Sequence, residues 1–109
     1  MVKIALLITT YNSEKFVPSI VKLIFDLQKI VDLCVVVDDA SIDATSILLK
    51  QKLGRNIFLI ERFSNSGRPA LPRNDGIEHI LQHHREITHV LFMDADDFIS
   101  IEVFKEVIL

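Results

Sequence analysis

The apolar run Val90 to Met93 ends in Asp94-Ala95-Asp96-Asp97, so three carboxylates crowd into four positions. Such crowding is costly unless a cation or hydrogen-bond donors offset it. The run reads as a buried strand delivering Asp94 and Asp96 to its carboxyl end, where open α/β sheets bind ligands. A hard divalent cation, Mg²⁺ or Mn²⁺, is the natural offset, because it is commonly held by one or two carboxylates while phosphate oxygens and water complete its shell. Asp94 and Asp96 are therefore candidate metal ligands. Asp97 can bind the ion, brace the loop or cap the helix that follows. The plainer alternative for the pair is a helix cap or a solvent-facing acidic turn.

Two further polar clusters follow apolar runs: Thr9 to Asn12 and Asp38 to Ser41. In a parallel sheet all three clusters share one edge, so residues over 80 positions apart in sequence can meet around one ligand. Either Asp38 or Asp39 can orient Arg73 or a loop amide while the other accepts hydrogen bonds from ligand N–H or hydroxyl groups. Thr9 can donate a hydroxyl hydrogen bond and Tyr11 can stack an aromatic ring, although a lone loop tyrosine is nearly as often structural. Arg73 and Asn74 begin a helical stretch where backbone amides and a guanidinium suit an anion, with Arg68 a second candidate and a plain salt bridge the alternative for either arginine. His79, His83, His84 and His89 lack the glutamate and the ordered site of a hydrolytic zinc centre, and read as exposed helix residues.

The elements that must position these groups alternate. Lys3–Thr9, Leu33–Val37, Asn56–Ile60 and His89–Met93 read as strands, the first two continuous and β-branched as strands covered on both faces are. Phe16, Ile20, Leu23, Ile24 and Leu27 recur at helical spacing. Pro18 allows that helix to begin only near Val17, or after a looser turn over 14–17. Ser41 is expected to cap a second helix, with Asp43 in its first turn and Gly54 after its end. A third helix is expected from about Leu71 to His84, with Ile77, Ile80 and Leu81 inward, and a terminal one after Ser100 carrying Ile101, Phe104, Val107 and Ile108. Right-handed βαβ units follow, hence an α/β class with a Rossmann-like, mostly parallel sheet of four strands flanked by helices.

The chain has 109 residues, half of them apolar, a size that buries about 60 to 70% of its unfolded surface in one domain. Net charge is −3 with the two signs interspersed, which disfavours nucleic acid as a partner. The single Cys34 sits in an apolar run and reads as a buried thiol in a reducing compartment. No apolar run reaches the roughly 18 residues of a membrane span, and no signal peptide is recognisable.

Taken together, Thr10-Tyr11-Asn12, Val36 to Thr45, Asn65-Ser66-Gly67, Arg73 to Ile77 and Met93 to Asp97 resemble, in order and spacing, the nucleotide-sugar-dependent glycosyltransferases of family 2, with the GT-A fold. The likeness spans nearly the whole chain. It implies that residues 1–109 are the N-terminal, nucleotide-sugar-binding part of such a domain, with a UDP-sugar the expected donor. Thr9 and Tyr11 would lie beside the base, Asp39 would accept from it, Arg73 would lie near the nucleotide, Asp94 near ribose and metal, and Asp96 on Mn²⁺ or Mg²⁺. It further implies an acceptor hydroxyl on a glycan, lipid-linked or protein substrate, a role in cell-surface polysaccharide synthesis, and a cytoplasmic location at the inner membrane face through chain beyond residue 109. The acceptor base belongs to the later half of the family domain, so the catalytic residue is expected beyond residue 109, in keeping with a truncated chain. Pro69 and Pro72 depart from the small residues usual before Arg73-Asn74. Two alternatives are a non-catalytic nucleotide-binding module and a Mg²⁺-dependent aspartyl phosphatase, the latter disfavoured because no Thr or Ser follows the Asp pair in the expected place.

Overall fold

The computed structural model describes residues 1–68 and 70–96. Pro69, Asp97 and the expected terminal helix lie outside the described residues. Strands β1 (Ile4–Thr10), β2 (Leu33–Asp38), β3 (Ile57–Glu61) and β4 (His89–Asp94) form one sheet in the order β3-β2-β1-β4. Every pairing is parallel. Helices α1 (Val17–Leu27), α2 (Thr45–Lys52) and α3 (Ala70–His83) supply the crossovers.

Alternate residues of the central strands feed two cores, as a period of two requires. Leu6, Ile8, Cys34 and Val36 meet Ile20, Ile24 and Leu27 of α1 and Leu49 of α2 on one face. Ala5, Leu7, Val35 and Val37 meet Ile80 on the other, with Ile77 packed alongside. Because β1 and β2 are covered on both sides, their sequences are continuously apolar. Cys34 is 3% exposed, and burial pushes its thiol pKa up to about 11.

Three local expectations resolve in instructive ways. A 3₁₀ turn over Glu14–Phe16 precedes α1, which starts at Val17 with Pro18 in its first turn, where a missing N–H leaves no helical bond unmade. Ser41 does not cap α2, which begins at Thr45 after Ala44. Its amide and hydroxyl donate instead to Asp38, at 3.0 and 2.7 Å, and Asp43 receives the Thr45 amide at 2.9 Å. Leu81 is 66% exposed rather than inward. The buried line of α3 is Pro72, Gly76 and Ile80, spaced by four. A β-carbon on Gly76 would stand 2.4 Å from Leu7 Cδ1, so a glycine here lets the helix settle onto β1, and that settling turns Leu81 away.

Candidate functional site

Strand register sets the site. Thr10 pairs with Asp38, Asp38 with Glu61, and Thr9 with Asp94, so the three polar clusters emerge side by side at one sheet edge. They line a cleft of about 490 Å³ that contains Thr9, Tyr11, Asp39, Asp94 and Asp96, together with Asn12, Phe16, Asn65 and Arg68.

The loop after β1 is stitched to the loop after β2. Asn12 N–H donates to Ser41 Oγ at 2.9 Å, the Ile42 amide donates to Asn12 Oδ1 at 2.9 Å, and the Ser13 amide donates to Thr45 Oγ1 at 2.8 Å. These bonds hold Asn12 at φ 46°, in the left-handed region that asparagine tolerates better than most residues. Tyr11 is left half-exposed at the cleft, with room for a ring to stack on it.

Asp38 is 1% exposed and receives the Thr10 hydroxyl at 2.6 Å as well as both Ser41 donors. Its oxygens are turned into the protein, so Asp38 braces the loop and the neighbouring Asp39 is the carboxylate of the pair on the cleft. Ala40 sits at φ 60° between them and Ser41, a conformation costing roughly 1–2 kcal/mol for an L-residue and held by the flanking carboxylate bonds. Asp39 takes the Ser66 hydroxyl at 2.8 Å and Asn65 Nδ2 at 3.1 Å on Oδ2, with the Ser66 amide shared between both oxygens. Arg62 Nε lies 2.9 Å from Asp39 Oδ1, its N–H off the line to the oxygen, so the contact is an ion pair rather than a formed hydrogen bond. Asp39 thus orients a loop amide, as one reading of the sequence had it, but its cation is Arg62 and not Arg73.

Arg73 serves the other end. Its Nη2 donates to Asp94 Oδ1 at 3.1 Å, the Thr9 hydroxyl donates to the same oxygen at 3.2 Å, and the guanidinium lies over the Phe92 ring. Arg73 stands behind Asp94, and Arg68 is the arginine lining the cleft. Asn74 is exposed. Asp96 is exposed on the turn after β4 and lines the cleft. The histidines lie elsewhere, and only partly as expected: His83 and His89 are exposed, whereas His79 and His84 are half-buried against Phe58, at ring separations of 5.3 and 4.8 Å. Burial, followed by the neighbouring His83 and His84 charges, lowers the His79 pKa.

Arg62, the counter-charge to Asp39, escaped the sequence reading, as did the anchoring roles of Asn12 and Ser13. The signal for Arg62 was available in part, since a nearly buried carboxylate demands a counter-charge. What was missing was the adjacency of β3 to β2, which puts the residue after Glu61 beside Asp39.

Comparison with known proteins places this geometry. The model of Glycosyl transferase family 2 matches residues 5–109. The chain belongs to that family. A poly(ribitol-phosphate) β-N-acetylglucosaminyltransferase, TarS, of Staphylococcus aureus is 35% identical over 97% of this chain, and the match spans 18% of its length. A poly(ribitol-phosphate) β-glucosyltransferase of Bacillus spizizenii is 36% identical over 92% of this chain and 16% of its own. The family 2 chain therefore spans less than a fifth of these relatives. Among solved structures, S. aureus TarS residues 1–349 in complex with UDP-GlcNAc superimposes with a TM-score of 0.71 at 31% identity, covering 96% of this chain and 30% of that one. Glucosyl-3-phosphoglycerate synthase of Mycobacterium tuberculosis, crystallised with Mn²⁺, UDP and glucosyl-3-phosphoglycerate, shares the fold at a TM-score of 0.56 and 22% identity, over 86% of this chain and 33% of that one.

Proposed function

We propose that residues 1–109 form the donor-binding part of a glycosyltransferase that takes a sugar, GlcNAc or glucose, from its uridine diphosphate and transfers it to an acceptor hydroxyl of a poly(ribitol-phosphate)-type wall polymer, at the cytoplasmic face of the membrane. The observation that carries this reading is the convergence of Thr9, Tyr11, Asp39, Asp94 and Asp96 on one cleft at the carboxyl edge of the sheet. The names of the S. aureus and B. spizizenii relatives support this choice of sugar and polymer.

In this reading Tyr11 stacks on the base, Asp39 accepts from its N–H, and Thr9 and Arg73 fix Asp94 at the ribose and diphosphate. The charge on the cleft bears on the metal. Among the described residues its lining holds Asp39, Asp94 and Asp96 with Arg68, and Arg62 and Arg73 pair with Asp39 and Asp94 from behind, so these groups offer no net positive charge to a diphosphate entering the cleft. Asp94 and Asp96 offer hard oxygen donors of the kind Mn²⁺ and Mg²⁺ take, and no group of three or more His, Cys, Asp or Glu among the described residues forms a closed metal cage. The donor set therefore fits an ion shared with a ligand, with Asp94 and Asp96 holding it. Such an ion, when bound, stabilises negative charge developing on the departing diphosphate. Arg73 restrains Asp94 on its far side and Thr9 restrains it from β1, which keeps that carboxylate at the cleft without a ligand.

The test is a thermal-shift panel, since a ligand bound only by the native state stabilises it by mass action. UDP with Mn²⁺ is expected to raise the midpoint by several degrees, more than ADP or CDP with Mn²⁺ and more than UDP with chelator. Stabilisation by beryllofluoride and Mg²⁺, with no response to UDP, would favour acyl-phosphate chemistry and overturn the reading.

A further inference from the structure

Arg62 carries no role in the proposal above, yet it links the two ends of the cleft. It is the first residue after β3, and its amide donates to Asp38 O at 2.9 Å, which pins its backbone to the sheet edge. The side chain is 19% exposed. Nε faces Asp39 Oδ1 across 2.9 Å, and Nη1 binds Asp75 Oδ2 on α3. Asp75 lies two residues after Arg73, whose guanidinium holds Asp94. One guanidinium therefore ties the base-end carboxylate to the helix that restrains the metal-end carboxylate.

We infer that Arg62 is a positioning residue for base recognition: it holds the Asp39 carboxylate, and Oδ1 in particular, in the orientation that accepts a uracil N–H. The inference rests on the donor-site reading of Asp39. The two oxygens of Asp39 are not equivalent. Oδ2 receives two side-chain donors, from Ser66 and Asn65, and part of the Ser66 amide. Among the described residues, Oδ1 receives the other part of that amide, at 3.1 Å, and an arginine N–H directed off its axis. An ionised carboxylate has about four acceptor positions, so Oδ1 keeps one for a ligand. The Ser66 and Asn65 bonds fall mainly on Oδ2, and the guanidinium, fixed at its other fork by Asp75, adds the constraint at Oδ1 and offsets the cost of a nearly buried charge.

The measurement is calorimetric titration with UDP and with CDP, each with Mn²⁺, on the parent chain, Arg62→Met, Arg62→Lys and Asp75→Asn, with circular dichroism confirming each fold. Uracil presents an N3–H donor to Oδ1 and cytosine presents an acceptor at the same position, so Asp39 favours UDP. Arg62→Met is expected to lower the UDP over CDP preference about tenfold, the scale of one hydrogen bond to a charged group, while CDP affinity changes by less than about twofold. Arg62→Lys keeps the charge without the fork and recovers part of the preference. Asp75→Asn leaves Arg62 in place and loosens its anchor, so it moves the preference in the same direction by a smaller factor, and it carries the test if Arg62→Met does not fold. Equal loss toward both nucleotides in folded variants, or an undiminished preference, overturns the inference while the donor site stands. A parent chain that binds UDP no better than CDP overturns both.

Discussion

The two ends of the cleft are built on opposite principles. At the end proposed to read the base, Asp38 is 1% and Asp39 5% exposed, and between them they hold donors from β1, the Ser41 turn, the Asn65–Ser66 loop and Arg62. At the other end the Asp94 side chain is 46% exposed and Asp96 stands on an open turn. Asp38 and Asp39 are buried under donors of their own protein, whereas Asp94, held at Oδ1 by Arg73 and Thr9, and Asp96 keep exposed surface at the cleft. In the proposed reading, rigidity for a base and availability for a shared cation are separate demands, met at the ends of β2 and β4 on either side of β1.

That contrast breaks most severely at Asp38. Asp38→Ala removes the acceptor for the Thr10 hydroxyl and both Ser41 donors, so a loss of about 3 kcal/mol is expected, read as a lower urea midpoint at unchanged m-value. A loss below about 0.5 kcal/mol, the range of ordinary surface substitutions, would show that the base end is not built on this carboxylate.

The next largest effect is expected behind the cleft. Gly76→Ala places a β-carbon 2.4 Å from Leu7 Cδ1, and Leu7 is fully buried, so it has nowhere to swing. Overpacking of this kind costs about 1–3 kcal/mol. The variant also shifts α3, and with it Arg73 and Asp75, so UDP affinity should fall in a chain that still folds. Intact affinity together with lost stability would separate the helix from the site and sharpen the contrast to the loops alone.

Much of this architecture was legible in the chain. The continuous apolar runs of β1 and β2, the Val17 start of α1 and the sheet-edge placement of Asp39, Asp94 and Asp96 follow from period, proline chemistry and the parallel-sheet rule. What failed was local competition. Ser41 has the chemistry of a helix cap, but Asp38 three residues earlier is a stronger acceptor within reach and captures it. Leu81 continues an apolar stripe by spacing, but Gly76 decides which stripe of α3 meets Leu7. Arg62 was missed for a third reason: its partner Asp39 is brought to it by strand order, which no local pattern encodes.

The central claim, that the open end awaits a cation carried with a uridine nucleotide, is tested most directly by calorimetric titration of UDP with and without Mn²⁺ into the parent chain and Asp96→Ala. Because Asp96 is exposed on a turn, its removal should leave stability within about 0.5 kcal/mol. The parent is expected to bind UDP in a manganese-dependent way and the variant to lose that dependence entirely. Unchanged manganese-dependent binding in the variant would contradict the account.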